Sequence, residues 1–165
     1  MTTIGVYAGS FDPITLGHLS VIDQAVRAFD QVIVAVGHNS AKQGVFDVDQ
    51  RMAFIRDSVG EHVRVVSFQG LLASYCDSLG SNTKKVSIVR GLRAVSDFES
   101  EMAIAHTNGI LTNAPTVFFP TAPALSFVSS SAARELAKHN VCETELFQLV
   151  PEHVALALLD KYQDD

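Results

Sequence analysis

The chain has little cysteine, and its two thiols form no recognisable pattern. Cys76 and Cys142 lie far apart in sequence, without the C-x-x-C spacing or the density of a disulfide scaffold. We therefore expect both to be reduced structural thiols in a cytosolic protein.

Positive charge is also scarce. The formal net charge is -6, and the twelve lysines and arginines are scattered, whereas a nucleic-acid-binding surface needs a basic stripe. A local cluster would still suffice for a small anionic ligand. No apolar run approaches the ~20 residues that span a bilayer, and no basic region precedes an apolar stretch at the amino terminus. We expect neither nucleic acid nor membrane as a partner, and a cytoplasmic location.

Two common nucleotide-binding motifs are missing. The chain contains no G-x-x-x-x-G-K-[ST], which excludes a P-loop protein. No G-x-G-x-x-G follows the first predicted strand, which removes the main dinucleotide-binding fingerprint.

Strand-like and helix-like apolar segments alternate along the chain. Strands are predicted at 4–8, 31–37, 63–68, 85–89 and 116–119, and helices at 18–29, 48–59, 71–79, 97–111, 130–139 and 152–162. Asp47 and Gln50 form a capping-box pattern at the second helix. The alternation predicts an α/β fold, a Rossmann-like doubly wound parallel five-stranded sheet with helices on both faces. The length of 165 residues fits a single domain over 1–165.

Ligands of such sheets bind beyond the carboxyl ends of the strands, where the strand order reverses. The loop after the first strand carries the strongest signal, GSFDPITLGH at residues 9–18. Its glycines lie between a strand and a helix start, where free N–H groups and the helix dipole suit a phosphate. His18 adds a side-chain donor, although a lone histidine at a helix start is otherwise a cap or a surface residue.

Two cationic groups follow later strands. The segment RGLR places Arg90 and Arg93 three residues apart at a strand end, and the planar arginine fork suits phosphate oxygens. The alternative is a surface pair bonded to carboxylates such as Asp97 or Glu99. Lys42, in the loop after the second strand, is a weaker candidate because most loop lysines are only solvated.

Two further groups precede or begin helices. The three serines at 129–131 lack a Glu or Gln three residues later, so a capping box does not explain them. Their hydroxyls and the helix N–H groups form a second candidate anion cradle, with a polar loop as the alternative. Asp97 and Glu101 stand one helical turn apart and can hold a ligand hydroxyl, an arginine or a magnesium ion, or simply form a solvated face.

Two helix starts, two arginines and a histidine at one sheet edge predict a polyphosphate ligand. At this point the motifs resemble a known family. They are GSFDP at 9–13, T-x-G-H at 15–18, RGLRA at 90–94, DFE-x-EM at 97–102 and SFVSSS at 126–131. Together they closely resemble the bacterial phosphopantetheine adenylyltransferase family of the nucleotidyltransferase superfamily, from residue 4 to about residue 162.

The resemblance implies an enzyme that transfers the adenylyl group of ATP to 4'-phosphopantetheine, giving dephospho-coenzyme A and pyrophosphate in coenzyme A biosynthesis. It implies magnesium as the cofactor that accompanies ATP, no metal ligand from the protein, and a homohexamer. It implies ATP contacts from Ser10, Phe11, His18, Gly91, Leu92, Arg93, Glu101, Leu125, Ser126, Phe127, Val128, Ser129, Ser130 and Ser131. It implies phosphopantetheine contacts from Ser10, Lys42, Leu72 and Arg90, and catalytic roles for His18, Ser10, Lys42 and Arg93.

Two other functions remain open at the level of sequence. One is an adenylyltransferase of the same fold with another phosphate acceptor, such as nicotinamide mononucleotide. The other is a non-catalytic nucleotide-binding regulator. Retention of every group expected around the α-phosphate favours an enzyme, because binding alone does not need them all.

Overall fold

The chain is described from a computed structural model over residues 1–38, 44–139 and 141–163. Its centre is a sheet of five parallel strands in the order β3-β2-β1-β4-β5. The strands are β1 (Thr2–Gly9), β2 (Gln31–Gly37), β3 (Val63–Phe68), β4 (Lys84–Leu92) and β5 (Thr116–Pro120). The chain builds outwards from β1 to β3, then crosses back to β4 on the other side of β1. This order confirms the doubly wound sheet and puts its switch point between β1 and β4.

Seven α-helices connect or follow the strands in the described residues. They are α1 (Leu16–Ala28), α2 (Val48–Ser58), α3 (Leu72–Leu79), α4 (Val95–Leu111), α5 (Ser130–Lys138), α6 (Glu143–Leu146) and α7 (Glu152–Gln163). The capping box predicted from Asp47 and Gln50 begins α2. Helix α6 and a 3-10 helix at Pro123–Leu125 were not predicted, since neither is long enough to show an apolar period.

Strand alternation divides the buried apolar side chains between the two faces of the sheet. Tyr7 and Val89 lie on one face, in the core formed with α1, α2, α5 and α7. Val6 and Ile88 lie on the other face with Cys76 of α3. Because side chains alternate along a strand, each residue of β1 and β4 is assigned to one face by its position.

Two elements beside the candidate site, β4 and α4, have boundaries that differ from the predicted ones. The loop between the predicted strand 85–89 and the predicted helix 97–111 is shorter, because β4 continues to Leu92 and pairs Arg90 and Gly91 with β5. Helix α4 begins at Val95 rather than at residue 97, so Asp97 lies inside its first turn.

Both cysteines are free. Cys76 is buried in α3, as expected of a structural thiol. The same expectation was wrong for Cys142, which is exposed immediately before α6. Among the described residues, no helix combines the length and the apolar character needed to cross a membrane.

Candidate active site

A cleft of about 480 Å³ opens at the carboxyl ends of β1 and β4, at the switch point of the sheet. Its walls come from the first loop and from the starts of α1, α4 and α5. It is lined by Tyr7, Ala8, Gly9, Ser10, Phe11, Thr15, Gly17, His18, Arg90, Gly91, Arg93, Asp97, Ser100, Glu101, Thr121, Val128, Ser129, Ser130, Ser131 and Arg134. Segments that are far apart in sequence therefore share one polar cavity, where ligands of such sheets bind.

Hydrogen bonds from distant segments hold the first loop in position. The buried carboxylate of Asp12 accepts the backbone N–H groups of Val45, at 2.8 Å, and Phe46, at 3.0 Å. The guanidinium of Arg51 donates to the carbonyl oxygen of Ser10 at 2.7 Å. These contacts hold the loop, whose residues 9–11 line the cleft.

Phe11 contributes backbone rather than its ring to the cleft. Its φ of 46° lies in the left-handed region, which is uncommon for a residue other than glycine. The side chain is 2% exposed and packs edge-on against Tyr7 and His18. This backbone conformation accompanies a ring that lies in the core although the residue lines the cleft.

His18 is both a helix cap and a cleft residue. With Thr15 it forms the capping box of α1, in which the N–H of Thr15 donates to Nδ1 of His18 at 3.1 Å. A backbone N–H can only donate, so Nδ1 is unprotonated and Nε2 carries the ring proton. Burial, followed by the charges of Arg93 and Arg90, lowers the pKa of His18 to about 4. The ring is therefore a neutral N–H donor at pH 7.

The two predicted phosphate-binding arginines are each paired with a carboxylate of α4. Arg90 makes a bidentate pair with Glu101, at 2.5 and 2.8 Å, and donates to the carbonyl of Ala8 at 3.3 Å. Arg93 forks to Asp97 at 3.1 and 3.2 Å. Of the roles considered for the carboxylates, holding an arginine is the one that the geometry supports.

Arg93 also reaches across the cleft, where it donates to the carbonyl of Val128 at 3.4 Å. Partial burial by itself raises the pKa of Asp97, but the hydrogen bonds and charge of Arg93 together outweigh it. The net pKa is below the ordinary value, so the carboxylate stays ionised. The pair holds the Arg93 guanidinium between α4 and the segment before α5.

The three serines have different partners. Ser129 is the N-cap of α5 and accepts the N–H of Ala132 at 3.0 Å. Ser130 donates to the carbonyl of Pro13 at 2.7 Å, and Ser131 accepts from Arg134 at 3.4 Å. The first backbone N–H groups of α5 have no acceptor within the helix, so they can meet an anion in the cleft.

The structure gathers most of the predicted site residues in this cleft. Those that line it are Ser10, Phe11, His18, Arg90, Gly91, Arg93, Glu101, Val128, Ser129, Ser130 and Ser131. Five others are not among its lining residues, namely Leu72, Leu92, Leu125, Ser126 and Phe127. Leu72 packs against the core on the α3 face, Leu125 packs against the other core, and Phe127 is 62% exposed. Lys42 lies outside the described residues.

Five lining residues were not predicted from the sequence, namely Tyr7, Ala8, Ser100, Thr121 and Arg134. Tyr7 lies two residues before Gly9, on the face of β1 that α1 covers. Strand alternation assigns it to a face, but the sequence does not distinguish a cleft tyrosine from a core tyrosine. Arg134 lies one helical turn after Ser131, so it shares a face with the serine cluster. It also donates to the carbonyl of Asp12, which links α5 to the first loop.

A parallel sheet of this order with a polar cleft at its switch point is typical of nucleotide-binding folds. The sequence model of the cytidylyltransferase-like family matches residues 6–136. A phosphopantetheine adenylyltransferase of Geobacter sulfurreducens is 46% identical over 164 residues, covering 98% of this chain and 96% of that protein. The chain belongs to the phosphopantetheine adenylyltransferase family.

Other comparisons agree. A phosphopantetheine adenylyltransferase of Staphylococcus saprophyticus is 41% identical over 165 residues, covering 98% of each chain. A crystal structure of a putative nicotinate-nucleotide adenylyltransferase from Vibrio parahaemolyticus superposes with a TM-score of 0.67 over 96% of this chain and 99% of that chain. At 19% identity, this last likeness concerns the fold alone.

Proposed function

We propose that this chain transfers the adenylyl group of ATP to 4'-phosphopantetheine, forming dephospho-coenzyme A and pyrophosphate. The observation that carries the proposal is the cleft itself, in which His18, Arg90, Arg93 and the start of α5 surround one space. Such a set of donors suits two phosphorylated substrates that react with each other. The phosphopantetheine acceptor is supported by the relatives at 41% and 46% identity.

The reaction needs no general base, because the attacking phosphate is already ionised at neutral pH. An acceptor phosphate oxygen forms a bond to the α-phosphorus of ATP. The bond from that phosphorus to the bridging oxygen of the β-phosphate breaks, and its electron pair leaves with pyrophosphate. The protein has to align the two polyanions and stabilise the charge that develops.

The proposed roles follow from the positions of the groups. The Nε2–H of His18 and the first loop at Ser10 face the α-phosphate, where a neutral donor stabilises added negative charge. Arg90 holds the acceptor phosphate, together with Lys42 on the strength of the family resemblance. Arg93 and the N–H groups at Ser129 to Ser131 hold the β- and γ-phosphates.

The remaining predicted contacts are also part of the proposal. Gly91 lets α1 pack closely on β4, because an added Cβ would lie only 2.8 Å from Cγ2 of Val21. As a residue that lines the cleft, it would contact ATP through its backbone. Glu101 orients Arg90 and lies within reach of the nucleotide. The segment from Leu125 to Val128, with Phe11 and Leu92, would surround the rest of ATP, and Leu72 would contact the pantetheine arm.

Magnesium accompanies ATP in this proposal. In the described part of the chain, no cluster of three or more His, Cys, Asp or Glu side chains can cage a metal ion. Asp97 and Glu101 are both paired with arginines. Magnesium commonly binds through substrate phosphates and waters, with few protein ligands, and this cleft fits that mode. Bound to ATP, it would supply neutralisation of the phosphate charge.

A homohexamer is the proposed assembly, supported by the surface of α4. This helix of 17 residues has no buried residue, yet Val95 is 90% exposed and Ile110 is 84% exposed. Apolar side chains on so exposed a helix are typical of a surface covered by another chain. Light scattering coupled to size exclusion tests the subunit number, and a monomer would contradict the proposal.

The whole chain would form one domain in each subunit. We propose a cytoplasmic location, which the free thiols support.

The activity is tested with purified protein, ATP, magnesium and 4'-phosphopantetheine. Pyrophosphate release is measured by a coupled assay, and dephospho-coenzyme A is identified by mass spectrometry. Nicotinamide mononucleotide serves as the control acceptor. We expect turnover when phosphopantetheine is the acceptor and none when nicotinamide mononucleotide replaces it. Turnover with the control acceptor instead would assign another adenylyltransferase, and tight ATP binding without any product would indicate a regulator.

A further inference from the structure

The hydroxyl group of Tyr7 lies at the cleft, and none of the roles proposed above involves it. The residue is 7% exposed, and its side chain lines the cavity from β1. Over residues 1–38, 44–139 and 141–163, the structure gives this hydroxyl no hydrogen-bond partner. The hydroxyl oxygen is not fully buried, so it is accessible from the cavity, where a ligand can accept its hydrogen bond.

The surroundings of Tyr7 fix the position of its ring. Phe11 packs edge-on against it with ring centroids 5.3 Å apart, and the ring of His18 lies 6.2 Å away. A Cβ built on Gly91 would lie 3.5 Å from the Tyr7 hydroxyl oxygen. The glycine therefore keeps the space next to the hydroxyl free of a side chain.

The hydroxyl remains protonated throughout the neutral range. Burial is the largest influence on the pKa of Tyr7 and raises it well above its usual range. The negative charge of Glu101 acts in the same direction, while the positive charges of Arg90 and Arg93 oppose it. Tyr7 is thus a neutral donor, fixed beside two cations that attract anionic ligands.

The face of the sheet indicates which phosphate Tyr7 meets. Tyr7 and Gly91 lie on the face of the sheet that α1 covers, and His18 belongs to α1. Arg90 alternates with Gly91 and so lies on the opposite face, where it pairs with Glu101 of α4. The acceptor phosphate held by Arg90 therefore approaches from one side of the sheet edge, and Tyr7 faces the group held by His18.

We propose that Tyr7 donates a hydrogen bond from its hydroxyl to an oxygen of the α-phosphoryl group of ATP while that group is transferred. This inference rests on the proposed adenylyl transfer. The bond strengthens as the α-phosphorus becomes five-coordinate and its oxygens gain negative charge. Tyr7 and His18 then form a pair of neutral donors, whereas the arginines hold the arriving and leaving phosphates.

The test is Tyr7→Phe, which removes the hydroxyl oxygen and keeps the ring that packs against Phe11. We expect kcat to fall about tenfold to a hundredfold, up to the lower end of the loss seen when a transition-state donor is removed. The KM for phosphopantetheine and the Kd of ATP, titrated without acceptor, should change less than about threefold. Thermal unfolding should show a native-like transition.

The matched control is Tyr162→Phe in α7, where the ring packs beneath Lys138 outside the cleft. It should leave kcat unchanged. An unchanged kcat for Tyr7→Phe would overturn the inference, as would a raised KM for phosphopantetheine or a weaker ATP affinity at unchanged kcat. If the unsubstituted protein makes no dephospho-coenzyme A, the proposed function itself fails, so the two failures are distinguishable.

Discussion

Thr15 and His18 bond each other through their backbones and side chains at the start of α1, with the N–H of His18 donating to Oγ1 of Thr15 at 3.3 Å. In return the N–H of Thr15 donates to Nδ1 of the imidazole. Nδ1 therefore accepts a hydrogen bond within the helix cap, and Nε2–H is available to donate to a ligand in the cleft. A helix cap and a site residue are usually alternatives for a histidine in this position, and here the same ring is both.

Replacing His18 with Ala should lower kcat much more than it weakens ATP binding. The Nε2–H donor is needed most when charge develops on the α-phosphate, and loss of such a donor costs about a hundredfold to a thousandfold in kcat. Steady-state kinetics and calorimetric titration with ATP measure the two effects. Gln at position 18 is the control, since it can complete the capping box with Thr15. An unchanged turnover in His18→Ala would remove His18 from the mechanism.

The low pKa of His18 should make the folded protein sensitive to acid. The imidazole titrates near 6.5 in the unfolded chain but at about 4 in the folded one. Between these values the unfolded state binds the extra proton, so the free energy of unfolding falls as the pH decreases from about 6.5 to about 4. Chemical denaturation at pH 7 and pH 5 should show a larger loss for the unsubstituted protein than for His18→Gln. Equal losses would contradict the low pKa.

Substitutions at Ser129 can distinguish its effect on the stability of α5 from its effect on anion binding. Its side chain caps the helix, so Ser129→Ala should lower the free energy of unfolding by about 1 kcal/mol. Ser129→Asp keeps a good N-cap but adds a negative charge beside the proposed β- and γ-phosphates. We expect the aspartate variant to unfold like the original protein yet bind ATP at least about tenfold more weakly, or by about 1.4 kcal/mol. Denaturation curves and ATP titrations measure both, and unchanged ATP affinity in Ser129→Asp would argue against a phosphate site there.

ATP binding should depend on the guanidinium shape of Arg93 and not only on its charge. It forks to Asp97 and also reaches the carbonyl of Val128, which a lysine amine cannot reproduce. Arg93→Lys should therefore weaken ATP binding about tenfold, and Arg93→Ala should weaken it more. Arg56→Lys on the exposed side of α2 is the matched control and should have no effect. Equal ATP affinity for Arg93→Lys and the unsubstituted protein would show that charge alone is sufficient.

Local patterns predicted the strands well. The predicted strands 31–37 and 63–68 agree at both ends with β2 and β3, because their apolar runs are short and clearly bounded. The capping box at Asp47 was also predictable, since its two partners are three residues apart. The end of β4 and the start of α4 were predicted less accurately, because the segment from Arg90 to Val95 has no marked change of period.

Contacts between distant segments were not predictable from sequence. Arg134 donates to the carbonyl of Asp12 across 122 positions, and Arg90 selects Glu101 rather than the nearer carboxylates of α4. Tyr7 shows the same limit, because a tyrosine in a buried strand is usually a core residue. Only the packing of β1 against α1 and β4 brings its hydroxyl into the cleft.

The sequence by itself determined the strand and helix order, and with it the sheet edge at which the glycine loop, the arginines and the serines meet. These are local properties, since apolar period and loop chemistry depend on neighbouring residues. The tertiary structure decided the charge and hydrogen-bonding state of those groups. It paired the arginines with carboxylates and left His18 neutral with its Nε2–H available, because burial and long-range contacts arise only when distant segments pack together.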